Sequence, residues 1–210
     1  MTLLGAAVFV GIISAGPNMR HAMDKPLERF NREHIAISSP LGIYPEDREI
    51  IEAHEGVELL EYQRTGDFFL NDEDHIVRLV SVTENIAQAQ IEEGRLPNEV
   101  GEIALDILAQ EREGYKIGQK VQITPDDEEQ EDAEESGDIS VDIENPVEKN
   151  TLQTEDFTIV GFVNHVQFFM PDNRGASLIG DGSVDYFALV TADSFTKSRP
   201  DQILLTVDSL

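Results

Sequence analysis

An uncharged apolar run at the start of the chain limits where this chain can lie. Between Thr2 and Ala15 no residue is charged, and only Thr2 and Ser14 are polar. A helix needs about 20 apolar residues to cross the hydrocarbon core of a bilayer, whereas this run supplies about 14, or about 21 Å of helix. The run is too short to cross a membrane alone and too apolar for an ordinary surface segment.

The net charge of −27 narrows the set of binding partners. Clustered Lys and Arg bind nucleic acids and anionic lipid surfaces, so this charge argues against both. It is compatible with a solvated exterior, with cationic partners or with metal cations. The chain contains no Cys, which excludes thiolate metal sites, thiol nucleophiles and disulfides. Its 210 residues suffice for one large domain or two small ones.

Hydrophobic periodicity in the first half of the chain predicts a mixture of strands and helices. Residues 18–34 predict a polar helix that continues from the apolar run, with a kink at Pro26. The pattern then predicts a strand at 35–39, a helix at 44–57 capped by Gly56, a strand at 58–70 with a break at Gly66, a turn at 71–74 and a strand at 75–82. This β-α-β-turn-β order indicates an α/β or α+β sandwich.

The second half is dominated by strand patterns and one acidic segment. "EIALD" predicts a strand, "ILAQERE" a short helix with Gly114 as its C-cap, and "KIGQKVQI" a tight turn that leads into a strand. Further strands are predicted at 157–163, 185–195 and 202–208. Between Asp126 and Glu135, eight of ten residues are acidic. We predict that residues 125–150 form a mobile acidic loop at the tip of a hairpin, because such a segment cannot bury enough apolar area to fold.

The sequence lacks the common patterns of catalytic and binding sites. There is no GxxxxGK[ST], no GxGxxG and no HExxH pattern, and the acidic run lacks the D-x-[DN]-x-[DN]-G pattern of a calcium loop. Ser177 and Ser194 lack the GxSxG context of a nucleophile. "PDNRG" (171–175) and "GDGSVD" (180–185) are ligand-like but favour turns. The histidines share no ligand spacing and are predicted to be ordinary surface or strand residues: His21, His34, His54, His75 and His165. We predict no catalytic residue, no cofactor-binding residue and no metal ligand.

Several stretches occur in an order that is typical of one family. They are "FVGIISAGPNMRHAMDK", "EEGRLPNEVGEIALD", "YKIGQKVQI", "FTIVGFVNHVQFF" and "RGASLIGDGSVDYFALV". This order resembles the MacB-like periplasmic core domain of FtsX/MacB-type ABC transporter permeases, in the long form of Gram-positive bacteria. That family carries a G-R-x-P…E-I-x-L/V-D segment, a K-I/V-G-D/Q turn and an x-I-V-G-F/I-V strand. The matches extend over residues 1–195 in patches, and the acidic segment 125–150 departs from the pattern.

The resemblance implies a fold class and a division of the chain. It implies an α+β extracytoplasmic domain with two lobes, one built from β-α-β units and the other mostly β, preceded by a truncated transmembrane helix. The implied parts are the outer end of that helix (1–17), a first α/β lobe (18–90), a second, β-rich lobe (91–185) with an insertion at 125–150, and return strands (186–210), incomplete at the C-terminus.

The resemblance also implies a location, a set of partners and a mechanical role. The protein would lie in the cell membrane with this domain outside, and it would not be an enzyme, because the ATPase is a separate cytoplasmic subunit. The implied partners are that ABC ATPase, the membrane through the N-terminal helix, a second permease, and a lipoprotein, peptide or cell-wall component, but no nucleic acid. No cofactor is implied. The Val8–Arg20 segment would transmit motion, with Gly16-Pro17 as a hinge or as the point where the helix leaves the bilayer.

Alternatives remain open for the apolar run and for the function. The run could be the outer end of a membrane helix, a buried core helix, or a signal peptide with a cleavage site at Ile13-Ser14-Ala15. A signal peptide usually begins with basic residues, and none precedes Arg20. The alternative functions are a secreted or surface-anchored acidic binding module and a secreted hydrolase.

Overall fold

The computed structural model describes residues 29–71, 75–126, 151–168 and 174–208. These residues form a sheet-rich α+β fold. Its strands are β1 (Ile35–Ser38), β2 (Val57–Gln63), β3 (Thr65–Leu70), β4 (His75–Ser81), β5 (Ala89–Gly94), β6 (Glu102–Asp106), β7 (Lys120–Thr124), β8 (Asp156–His165), β9 (Tyr186–Val190) and β10 (Gln202–Val207). Its helices are α1 (Pro45–Glu52) and α2 (Ile107–Glu113). The α+β class predicted from the sequence is confirmed.

The smaller sheet has three strands in the order β1-β10-β2. β10 is antiparallel to both neighbours, so β1 and β2 run parallel, and α1 connects them as a β-α-β unit. Ile51 of α1 packs against a core that contains Ile43, Ile203 and Leu205. One face of the small sheet is therefore covered by α1.

Helix α1 begins where the sequence predicts and ends earlier. Pro45 occupies the first turn, where its fixed φ suits a helix and no backbone donor is lost. Glu46 and Asp47 in that turn interact favourably with the helix dipole. The helix is capped at Ala53, and Gly56, with φ of 98°, lies in the turn that leads into β2. The prediction that Gly56 caps the helix was therefore wrong.

The stretch predicted as one strand at 58–70 is two strands in two different sheets. The break falls at Arg64 and not at Gly66, which pairs with Leu79 inside β3. β2 pairs with β10, whereas β3 pairs with β4. The change of sheet arises from these long-range partners, which local periodicity does not show.

The larger sheet has seven strands in the order β5-β8-β6-β9-β4-β3-β7. β7 also pairs with the first residues of β8, so the six strands from β8 to β7 close into a ring. The β6–β8 and β4–β9 pairs are parallel, and the other pairs are antiparallel. The predicted hairpin on either side of the acidic segment is confirmed as the antiparallel β7–β8 pair.

Alternate residues of the six ring strands point inward and form the main core. This core contains Phe68, Leu70, Val77, Leu79, Ile103, Leu105, Val121, Ile123, Phe157, Ile159, Tyr186, Ala188 and Val190. α2 packs against it through Ala109, with Ile107 and Leu108 partly buried. α2 ends at Gly114, which has φ of 74°, as the sequence predicts for a left-handed C-cap.

Several predictions fall partly or wholly outside the described residues. The apolar run and most of the predicted polar helix 18–34 lie there, as does the acidic segment from residue 127 to residue 150. Residues 30–34 are not helical, and Asn31 has φ of 46°, so the predicted helix does not extend to residue 34. Within the described ranges, no helix is both long enough and apolar enough to cross a membrane. β3 and β4 precede residue 90 but lie in the larger sheet, and the division into lobes stays a prediction.

Candidate functional site

The chain crosses between the two sheets at two neighbouring places. It passes from β2 to β3 at Arg64, and it returns from β9 to β10 through residues 191–201. The backbone N–H of Asp201 donates to the carbonyl of Gln63 at 3.2 Å, so the crossings lie side by side. We call residues 63–65, Ser81 and 197–201 the junction.

A buried lysine holds the two crossings of the junction together. The Lys197 side chain is only 3% exposed and forms an ion pair with Asp201. Its Nζ donates to the carbonyl of Thr65 at 2.6 Å and lies 5.2 Å from the centre of the Phe195 ring. The Asp201 carboxylate also accepts from the Thr65 N–H at 2.9 Å. A buried ammonium is costly unless it is paired and hydrogen-bonded, so these contacts fix the junction in one geometry.

Arg64 binds both the returning crossing and the end of β4. Its Nε and Nη2 donate to the carbonyls of Lys197 and Ser198, at 3.3 Å and 3.0 Å. Its own backbone N–H donates to the Ser81 hydroxyl at 2.8 Å, and its carbonyl accepts from the Ser81 N–H at 2.9 Å. Arg64, which lies between β2 and β3, is therefore hydrogen-bonded both to the returning crossing and to β4.

The small sheet also contacts the ring through the loop between β4 and β5. Glu61 of β2 accepts from the backbone N–H groups of Asn85 and Ile86, each at 2.9 Å. Beneath this contact, Leu204 of β10 is buried against Ile86 and Ala87 of the loop. The face of the small sheet opposite α1 thus packs on the ring.

The chain meets this same loop before it forms β1. The carbonyls of Phe30 and Asn31 accept from the N–H groups of Gln88 and Ala87, at 2.9 Å and 2.8 Å. The Asn31 side chain donates to the carbonyl of Asn85 at 2.7 Å. Asn tolerates the left-handed backbone that Asn31 adopts, because its short polar side chain bonds locally. The N-terminal connection is therefore bound both to the ring loop and, through β1, to the small sheet.

Some of the stretches that carry the family resemblance are in contact with one another in the fold. A Cβ on Gly161, from "FTIVGFV", would lie 2.3 Å from the carbonyl oxygen of Arg95, from "EEGRLP". Arg95 in turn binds Glu102 with both terminal nitrogens, one of them at 2.7 Å. This guanidinium, with the N–H of Asn98, lowers the pKa of the Glu102 carboxyl to about 2. The glycine permits a close strand crossing, and the ion pair fixes the loop beside it.

A second contact joins two of these stretches through Asp106 and Arg174. Asp106 is the N-cap of α2 and accepts from the N–H of Leu108 at 3.0 Å. Arg174 donates to both of its carboxylate oxygens, at 2.7 Å and 3.0 Å. Burial raises the pKa of the Asp106 carboxyl, and the Arg174 guanidinium offsets part of that rise. Sequence reasoning missed this pair, because the partners are far apart in the chain and no spacing signals them.

The four described histidines lie on the surface or in strands, as predicted. The Nδ1 of His34 accepts from the N–H of Val207 at 3.0 Å. His75 lies 3.6 Å from a carboxylate oxygen of Glu113 and 3.7 Å from one of Asp185. His165 is buried in β8, where desolvation lowers its pKa to about 4. His54 is exposed, and His21 lies outside the described residues.

Ser177 and Ser194 each lie within hydrogen-bonding distance of a neighbouring polar side chain. Ser177 donates to Asp67 at 2.8 Å, and the hydroxyls of Ser194 and Thr191 lie 3.0 Å apart. Gly180 and Gly182 have positive φ values, so the predicted turns in 180–185 are confirmed. Across the described ranges, no group of three or more His, Asp and Glu side chains could hold a metal ion. The predicted mechanical segment Val8–Arg20, with Gly16-Pro17, lies outside the described residues, as do residues 171–173.

Comparisons with known proteins find likeness at the level of structure. No protein-family model and no curated protein matches the sequence. Among solved structures, the chain is similar to the extracellular domain of the noncanonic ABC-type transporter YknZ from Gram-positive bacteria. The two are 10% identical, the TM-score is 0.45, and the likeness covers 81% of this chain and 76% of that one.

Proposed function

We propose that this chain is the extracellular domain of an FtsX/MacB-type ABC transporter permease, which passes ATP-driven motion to the outside of the membrane. The order of the family-like stretches supports this proposal. The structural observation that carries it is the double anchoring of the N-terminal connection. Phe30 and Asn31 bind the β4–β5 loop of the ring only a few residues before the chain enters β1.

The proposed mechanism uses this anchoring to move the domain as a unit. An ATPase in a separate cytoplasmic subunit would displace the membrane helix that precedes residue 29. Because Asn31 is bound to Asn85 and Ala87, the displacement reaches the ring as well as the small sheet. The Lys197–Asp201 pair at the junction then keeps the two sheets in a fixed relative position during the movement.

The proposed partners and location follow from this role. The domain would lie outside the cell membrane, anchored by its N-terminal helix and coupled to the ATPase through the rest of the permease. A lipoprotein, a peptide or a cell-wall component would contact it from outside. In this proposal residues 18–90, with the return strands of residues 186–210, form the first lobe, and residues 91–185 form the second.

The absence of cysteine from the chain allows a direct test of location. Leu178 is 97% exposed, so a Leu178→Cys variant, expressed in its own host, gives this domain one accessible thiol. A membrane-impermeant maleimide should label it on intact cells. The matched control is Ala188→Cys, which is buried in the ring and should react only after denaturation. If Leu178→Cys reacts only after cell lysis, the domain is not extracellular.

The second candidate function is a secreted or surface-anchored acidic binding module, which the net charge of −27 favours. Labelling of intact cells would occur for both functions, so the second arm of the test is purification from solubilised membranes. An ABC ATPase should copurify with the wild-type protein. Recovery of the protein in the culture medium, or from membranes without any ATPase, would instead support the binding module.

A further inference from the structure

The imidazole of His165 uses both of its ring nitrogens inside the fold. His165 is the last residue of β8 and is only 5% exposed. Its Nδ1 accepts from the backbone N–H of Gln167 at 3.3 Å, and its other ring nitrogen donates to the carbonyl of Ala87. One nitrogen is an acceptor and the other a donor. The site therefore fits the neutral imidazole, because the protonated ring has two donors and no acceptor.

Each partner of this imidazole also binds the chain before β1, which we call the N-terminal connection (residues 30–34). The N–H of Ala87 donates to the carbonyl of Asn31 at 2.8 Å. The side chain of Gln167 donates to the Glu33 carboxylate at 3.3 Å. Two routes of hydrogen bonds therefore run from the imidazole to the N-terminal connection, and the protonation state of one ring affects both.

Ala87 holds a backbone conformation that alanine rarely adopts. Its φ is 51°, in the left-handed region, where Asn and Asp gain a local hydrogen bond and alanine gains none. Such a conformation persists only while the surrounding contacts impose it. The N–H and the carbonyl of Ala87 are bound by Asn31 and His165. Its side chain packs with Val166 and Leu204. Loss of the imidazole bond therefore releases a residue that relaxes by moving away.

We propose that protonation of His165 releases the N-terminal connection from the β4–β5 loop of the ring. A proton on Nδ1 turns this nitrogen from an acceptor into a donor that faces the N–H of Gln167, so that bond is lost. The charged ring then leaves its buried site, and Ala87 loses the contact that holds its left-handed backbone. The connection keeps its pairing to the small sheet through β1 but is no longer bound to the ring.

The surroundings of His165 oppose a charge while the contact is closed. The rings of Phe168 and Phe187 lie 5.8 Å and 6.0 Å from the imidazole. Burial is the largest cause of the lowered pKa of His165, and the Ala87 carbonyl opposes this effect. The titratable and charged groups on the elements packed around it are Glu33, His34, Glu61, Glu84 and the ion pair of Asp106 with Arg174. A proton on the buried imidazole therefore carries a desolvation cost, which opening of the contact removes.

Acid favours the released state, because the open contact lets His165 titrate normally. The folded pKa of His165 is about 4, below the ordinary value of 6.5. The contact is therefore at full strength above pH 6.5 and weakens as the pH falls from 6.5 to 4. Its ratio of closed to open forms should fall by up to about tenfold for each pH unit in that interval.

Native-state hydrogen exchange of the purified chain tests the release. The amides of Ala87 and Gln88 report on the contact, because they donate to the carbonyls of Asn31 and Phe30. Their protection factors, measured by NMR between pH 7 and pH 4.5 and corrected for intrinsic exchange, should fall by up to about tenfold per pH unit below 6.5. In low urea this exchange should not depend on the urea concentration, since a local opening exposes little surface. Protection that stays constant with pH, or that follows the ring amides in urea, would overturn the proposal.

His165→Gln removes the titration and keeps a donor and an acceptor at the site. Its neutral amide can accept from Gln167 and donate to Ala87, so the protection of the two reporter amides should no longer depend on pH. His34→Gln is the matched control, because His34 is exposed and its Nδ1 binds the N–H of Val207 on the small-sheet side of the connection. This control should retain the wild-type response. An acid response that survives in His165→Gln, or that disappears in His34→Gln, would reject the proposal.

The imidazole of the wild-type chain gives a second test, which does not depend on how glutamine fits the site. At pH 7 the nitrogen NMR shifts of the His165 ring should show the proton on Nε2, because Nδ1 is the acceptor. On acidification the charged ring should appear together with the faster exchange of Ala87. A proton on Nδ1 at pH 7 would contradict the proposal, as would a charged ring while Ala87 stays protected.

These measurements use the purified chain, so they do not depend on the proposed transporter function. A connection that stays bound in acid would reject only the release. A chain that never copurifies with an ATPase would reject only the transporter.

Discussion

Arg174 donates hydrogen bonds to both carboxylate oxygens of Asp106, and both side chains are buried. The side chains are 4% and 0% exposed, and the nitrogen–oxygen distances are 2.7 Å and 3.0 Å. Arg174 also lies over the ring of Phe187, 5.4 Å from its centre. The pair joins the start of α2 to the segment that leads into β9, so it holds together regions far apart in the chain.

Replacing one partner of this pair should destabilise the protein strongly. In Arg174→Leu the Asp106 carboxylate stays buried without its cation, which typically costs about 3–5 kcal/mol of unfolding free energy. The loss should be smaller at pH 4.5 than at pH 7, because the raised pKa of Asp106 lets it take up a proton in the folded variant. Urea unfolding at both pH values measures the difference in unfolding free energy between the wild type and the variant.

Arg48→Leu is the matched control for that experiment, because Arg48 forms an exposed ion pair with Glu52 on α1. Its urea midpoint should stay close to that of the wild type. An Arg174→Leu variant as stable as Arg48→Leu would show that the buried pair contributes nothing.

Lys197→Met should loosen the junction between the sheets. The methionine retains most of the buried stem but removes the ammonium that binds Thr65 and Asp201, at an expected cost of about 3 kcal/mol. Native-state hydrogen exchange should speed up more in β10 and β2 than in the ring, since the small sheet has the smaller core. Lys120→Met, at an exposed position of β7, is the control. Uniform acceleration throughout the chain would argue against a local role at the junction.

Glu102 should contribute an acid-sensitive part of the stability. Its folded pKa of about 2 lies below the ordinary value of 4.5, so its stabilisation is complete above pH 4.5 and is lost as the pH falls towards 2. Glu102→Gln cannot ionise. The urea midpoint of the wild type should exceed that of the variant by a constant amount above pH 5, and the difference should shrink below pH 4.5. A constant difference down to pH 2 would contradict this assignment.

His165 should produce a separate loss of stability at a higher pH. Its folded pKa of about 4 lies below the ordinary value of 6.5, so protonation favours the unfolded state. Stability should be full above pH 6.5 and fall by roughly 3 kcal/mol between pH 6.5 and pH 4, at about 1.4 kcal/mol for each unit of pKa difference.

A His165→Gln variant removes this titration while keeping a polar side chain at the buried position. Its stability should change less with pH over that interval, measured by thermal unfolding at a series of pH values. An identical pH profile for the wild type and the variant would exclude His165 as the cause.

Local signals in the sequence correctly predicted the elements whose boundaries depend on neighbouring residues. Pro45 and the acids after it mark the start of α1, and Gly114 marks the end of α2, because caps act within one helical turn. The β7–β8 hairpin was also predicted, since its two strands flank one acidic segment. The break near residue 64 was misplaced, because β2 and β3 take partners from opposite parts of the chain.

The sequence by itself determined the α+β character, the start of α1, the end of α2 and the absence of thiol chemistry, because each depends on composition or on short-range contacts. Only the tertiary structure decided the closure of six strands into a ring, the burial of Lys197 at the junction and the pairing of Asp106 with Arg174. Each of these joins residues distant in sequence, and hydrophobic periodicity carries no information about which distant strands will pair. The sequence shows that β1 carries no charge, and only the fold shows that its residues are exposed.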